Sequence, residues 1–87
     1  MTTVLEFQQP DAFSDFVAAN IRAEAARRGI TQRELARSIG MSQAACSDRW
    51  RGKTSWTLDE IEVVARMLRT TTSVLCAIRD SNPEPAD

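Results

Sequence analysis

TQRELARSIGMSQAACSDRWRGK, residues 31–53, is the stretch whose reading decides the fold. Thr31 followed three residues later by Glu34 spells a capping box: the hydroxyl takes the backbone N–H of residue 34, and the carboxylate turns back to residue 31. Ile30, just outside the cap, and Leu35 have the spacing of a hydrophobic staple. Leu35, Ala36 and Ile39 then fall on one helical face. Gly40 ends that helix, because glycine takes a positive φ without steric penalty. Ser42 caps a second helix, and Met41 with Cys46 repeats the staple spacing. Cys46 and Trp50, four residues apart, point inward, and Gly52 ends the second helix. The stretch is two capped helices joined by a three-residue turn.

Working outward, the flanks supply a scaffold. Phe13, Phe16, Val17, Ile21 and Ala25 recur at helical spacing, and Pro10 and Asp11 suit the first turn of that helix. It should run to about Arg28 and stop at Gly29, with its phenylalanines in the core. Arg27 and Arg28 complement its carboxyl end, and a phosphate contact is the alternative use for them. Past a loop at Lys53, Thr54 and Ser55, Trp56 stands at the staple position of a further capping box, Thr57 to Glu60, with Ile61 as its partner. Leu58, Ile61, Val64, Ala65 and Leu68 form the buried stripe of the next helix. Thr71 caps a last short helix holding Val74, Leu75 and Ile78. The expected fold is therefore all-α, a compact bundle of about five helices.

Three segments are expected. Residues 1–9 alternate Leu5 and Phe7 with Glu6 and Gln8, which predicts a short extended N-terminal arm or a partly ordered terminus. Residues 10–79 form the one folded domain. Residues 80–87, polar and carrying Pro83 and Pro85, cannot bury surface and are expected to be disordered.

Composition narrows the function. At 87 residues the chain has room for a single small core. Cys46 and Cys76 lack metal-site spacing and there is no histidine, so no metal and no cofactor are expected. Both thiols read as reduced, Cys46 as a core residue. No histidine, no glycine-rich phosphate loop and no nucleophile beside a base argue against an enzyme. With no signal-like start and no apolar run of membrane-span length, the expected location is cytoplasmic. The net charge of −1 hides a strong division: −3 over residues 1–20, +5 over 21–53 and −3 over 54–87. Positive charge collects on the two-helix motif, as nucleic-acid binding requires, whereas a merely solvated surface would not need that clustering.

The motif is a helix-turn-helix, and it resembles the Cro/phage-repressor (XRE-type, lambda-repressor-like) family. The resemblance is carried by Gln32, Ala36, Gly40, Ser42-Gln43 and Arg51-Gly52-Lys53, with WTLDEIEVVARML and TTSVL as the next two helices, over roughly residues 21–78. It implies that Gln32 bonds a phosphate and braces Gln43, which reads a base, and that Lys53 and Thr54 lie in a loop touching the DNA backbone. Two positions depart from the family. Arg69 stands where glycine is usual, so either it takes a left-handed conformation or the turn is built differently. Arg49 replaces a large apolar residue.

With Cys46 and Trp50 inward, the candidate base-contacting residues are Gln43, Ala44, Ser47, Asp48 and Arg51. Most are small, which lets the helix approach the floor of a major groove. Gln43 suits an adenine edge; Arg51 suits a guanine or a phosphate. Asp48 either accepts from a cytosine amino group or is neutralised by Arg51 or Arg49, and near phosphate neutralisation is favoured. Gln32, Arg33, Ser42, Arg49, Lys53 and Thr54 are the candidate phosphate contacts. Arg49 stays open between that role, cover for the core and a partner for Asp48. The expected function is a sequence-specific regulator of Cro or repressor type, of phage or prophage kind. It would occupy a pseudo-palindromic double-stranded DNA operator as a homodimer, with the last helix and the N-terminal arm as candidate dimer contacts. A helical protein-interaction module of antitoxin or anti-repressor kind, or an excision accessory factor, is the alternative, because fold alone does not settle function.

Overall fold

The computed structural model describes residues 12–78. The expected arm, the Pro10–Asp11 helix start and the tail lie outside them. Five helices follow in order: α1 Phe13–Arg27, α2 Gln32–Ile39, α3 Gln43–Trp50, α4 Leu58–Met67 and α5 Thr72–Leu75. Among the described residues there is no strand, and no helix is long and apolar enough to cross a membrane.

Helix starts follow the sequence closely. Thr31 accepts from the Glu34 N–H and Glu34 returns the bond to the Thr31 N–H at 2.9 Å. Thr57 and Glu60 repeat the same reciprocal pair. Ser42 and Thr71 cap α3 and α5 through single bonds to Ala45 N and Val74 N. Each side-chain cap is worth about 1 kcal/mol. Helix α1 begins at Phe13 behind Ala12, with no side-chain cap. The ends are equally regular: Gly29 and Gly40 take φ of 67° and 71° after α1 and α2. After α4 it is Arg69 that adopts φ 57°. The left-handed conformation is kept despite the Cβ, at a cost of roughly 1–2 kcal/mol.

The core is one cluster: Val17, Ile21 and Ala25 from α1, Leu35 and Ala36 from α2, Cys46 from α3, then Trp56, Ile61, Val64, Ala65, Leu68 and Leu75. Ile30, Met41 and Trp50 pack around its edge. Four residues expected inside depart from the core: Phe16 is only partly buried, and three more are exposed. Leu58 is 80% exposed, Ile78 66% and Phe13 48%. Leu58 and Phe13 are the first residues of their helices, where side chains lean back past the helix end. Ile78 lies beyond the end of α5, so the helical period no longer governs its direction.

Two buried polar groups close the bundle. Asn20 donates to the carbonyls of Leu75 and Ala77 at 2.9 and 2.8 Å, stitching the chain after α5 to the middle of α1. Glu24, only 4% exposed, is held by Arg27 and Arg28. That internal pairing occupies both arginines at the carboxyl end of α1 and reduces what they offer a phosphate.

Candidate nucleic-acid interface

Helix α3 is anchored on one side and open on the other. Cys46 is fully buried, with its thiol 3.8 Å from the Gln32 carbonyl. Burial pushes the Cys46 thiol pKa up, against the pull of nearby Arg49. That makes it an inert packing residue, as the sequence indicated. Trp50 is half-buried against the core edge. Gln43, Ala44 and Arg51 are exposed, with Ser47 and Asp48 partly so. Each of the five candidate base-contacting residues thus keeps some surface that the core leaves uncovered.

The candidate phosphate contacts divide. Arg33, Ser42, Lys53 and Thr54 are exposed, and Gln32 is partly so. Ser42 already spends its oxygen on the α3 cap, leaving its hydroxyl proton to donate. Gln43 donates to the Gln32 side-chain oxygen at 2.7 Å. This brace joins the first residues of α2 and α3, and it is the contact the family resemblance implied. It uses one amide proton of Gln43 and leaves it one donor and one acceptor. Lys53 and Thr54 both bond through their backbone N–H groups to the Asp48 carbonyl, so the loop is folded onto the end of α3.

Arg49 is placed by a partner that the sequence reading did not weigh. Its Nε donates to Glu60 at 2.9 Å and its Nη1 to the Ala45 carbonyl at 3.2 Å. Glu60 is the same carboxylate that closes the capping box of α4. Burial alone would push the Glu60 pKa up, yet the Thr57 N–H, the Arg49 guanidinium and the Thr57 hydroxyl outweigh it and hold the carboxyl below its ordinary range. Arg49 is thereby a tie between α3 and α4. Asp48 meets Arg51 at 3.4 Å, the neutralisation favoured from sequence. The weak geometry leaves Arg51, 60% exposed in its side chain, able to turn outward.

One positioning residue escaped the sequence reading. Arg22 of α1 donates to the Trp50 carbonyl at 2.6 Å, where the negative end of the α3 dipole lies. An arginine reaching across 28 residues leaves no local signal. Together these bonds divide the basic residues of the motif segment. Arg22, Arg27, Arg28 and Arg49 hold the fold. Arg33, Arg37, Arg51 and Lys53 remain exposed. Among the described residues no group of three or more His, Cys, Asp or Glu could hold a metal ion.

A family model described as helix-turn-helix matches residues 21–75. No curated protein matches the chain. Among solved structures, the chain is similar to the clp gene regulator ClgR from Corynebacterium glutamicum, at 24% identity over 77% of this chain and 86% of that one, with a TM-score of 0.70. It is also similar to a hypothetical transcription factor, NHTF, from Neisseria, at 25% identity over 82% of each chain, with a TM-score of 0.72. The first likeness speaks for the fold alone.

Proposed function

The chain belongs to the helix-turn-helix family of XRE type, a DNA-binding transcription-regulator family, and we propose that it acts as a sequence-specific repressor of Cro type with α3 in the major groove. The observation that carries this reading is the Gln43–Gln32 brace on the uncovered side of an α3 anchored by Cys46. One donor and one acceptor remaining on Gln43 match the N6 and N7 groups of adenine. Arg51 supplies a fork for guanine once it leaves Asp48. Gln32, Arg33, Ser42, Lys53 and Thr54 contact phosphates and set the register. Arg49 contributes to this interface through its hold on α3. The Neisseria relative, named as a hypothetical transcription factor, supports the same direction. A single short reading helix makes few base contacts, so the protein works as a dimer on half-sites about 34 Å apart.

Selection of bound sites from random duplex tests this, followed by titration of the selected site with Gln43→Ala and Arg51→Ala. Each variant should relax preference at its own base pair, at a cost of about 1–3 kcal/mol of discrimination. Lys53→Ala should instead weaken every sequence alike and flatten the salt dependence by about one unit of slope. Failure to enrich any sequence, or unchanged preference in both reading-helix variants, overturns the proposal in favour of a protein-interaction module.

A further inference from the structure

The turn that ends α4 carries a strain that the earlier turns avoid. Gly29 and Gly40 take the left-handed conformation after α1 and α2, yet after α4 the chain holds Arg69 at φ 57°. A residue kept strained where glycine would be at ease points to a use for its side chain. Arg69 is exposed and takes part in no ion pair among the described residues. With Arg28, Ile30 and Met67 it lines a cavity of about 360 Å³. Arg28 reaches across to it, donating from Nη2 to the Arg69 carbonyl at 3.5 Å while its Nη1 holds Glu24. Glu24 is already divided between Arg27 and Arg28, and no carboxylate lines this cavity. An adjoining hollow shares Ile30 and Met67 and adds Glu34, Arg37 and Ser38. Its one acid, Glu34, is turned back to Thr31 in the α2 capping box. The positive charge of the Arg28–Arg69 cavity is therefore only partly balanced from within.

We infer that this cavity binds a small aliphatic carboxylate, its head between the Arg28 and Arg69 guanidiniums and its body against Ile30 and Met67. A guanidinium presents planar, paired donors that match the two oxygens of a carboxylate. Ile30 and Met67 are partly buried and pack on the edge of the core, so the wall behind the charges is apolar and fixed to the fold. The Met67 thioether adapts to an irregular hydrocarbon better than a branched side chain does. The volume lies near the lower end of the range for small-molecule sites, about 300–1,000 Å³. A protein partner would need a face of about 800 Å², whereas this is a hollow framed by four side chains. None of the candidate DNA-contacting residues lines it, so the inference goes beyond the regulator reading and does not depend on it.

Titration of the full chain with octanoate, followed by amide NMR without DNA, tests this. Shifts should saturate at Gly29, Ile30 and Arg69 with a dissociation constant of about 0.1–1 mM. Octanol lacks the charged head and acetate lacks the body, and each should bind at least about tenfold more weakly. Arg69→Gly separates this role from a structural one, since it relieves the turn while removing the guanidinium. That variant should melt higher than wild type and yet bind octanoate about tenfold more weakly. Octanol binding as tightly as octanoate would reveal a merely greasy hollow, and acetate doing so a merely charged one; either overturns the inference. Shifts that never saturate, or that centre on other residues, overturn it as well. So does a glycine variant that binds octanoate as wild type does, or one that melts lower and so shows that Arg69 serves the fold.

Discussion

The two ends of α3 are held by different means. At its amino end the ties are light and exposed: the Ser42 cap and one amide pair, Gln43 to Gln32. At its carboxyl end the ties are charged and reach distant elements, Arg22 from α1 to the Trp50 carbonyl and Arg49 to Glu60 of α4. The difference teaches a division of labour along eight residues. The charged ties fix where the helix lies in the bundle, while the amide pair at the amino end is exposed and, under the proposed function, re-pairs with a base or phosphate. Substitutions of the charged ties Arg22, Arg49 and Glu60 should be read in stability, and those of the exposed Gln32, Gln43 and Arg51 in DNA binding.

The strongest way to break that comparison is Glu60→Ala, which removes half of the α4 capping box and the partner of a largely buried Arg49 together. It should cost about 1–3 kcal/mol in urea denaturation. Glu60 is held below its ordinary pKa, so its contribution is fully present above the unfolded glutamate value of about 4.3 and fades as pH falls through the lower folded value. Wild-type stability should therefore decline on acidification below that point, and the part lost with Glu60→Ala should no longer titrate. A full-strength variant that instead changes base preference would erase the division.

Arg22→Ala should come next, at about 1 kcal/mol, because it unties one charged hydrogen bond at a helix carboxyl end. Thermal unfolding checks it, with selectivity among DNA sites expected to be unchanged. The smallest stability effect belongs to Gln32→Ala, within about 0.5 kcal/mol as for an ordinary surface position. Its DNA affinity should nonetheless fall and its preference at the Gln43 base pair should loosen. A large loss of stability in that variant would show that the amide brace supports the fold.

Much of this architecture is written locally. Both capping boxes, the Ser42 and Thr71 caps and the left-handed Gly29 and Gly40 are short-range devices, and each is where the residue pattern puts it. The inward Cys46 and outward Gln43 follow from the same periodicity. The exposed residues that periodicity misplaced lie at element ends: Phe13, Leu58 and Ile78. There a stripe no longer has a neighbouring turn to enforce its direction. The long-range polar ties were not legible at all, since Asn20 to Leu75, Arg22 to Trp50 and Arg49 to Glu60 depend on how helices cross. For the site, sequence indicated the uncovered side, while crossing geometry decided that Arg49 is an internal strut.

The loop that follows α3 begins beside one indole and ends at another. Trp56 is 6% exposed, with its ring N–H lacking an acceptor among the described residues, whereas Trp50 is half-buried at the foot of α3. Because these are the only two tryptophans in the chain, the molecule carries its own optical gauge. A dry chromophore follows the integrity of the bundle and a half-wetted one senses the carboxyl end of α3, so variants that keep one tryptophan each let the two be watched separately without a label.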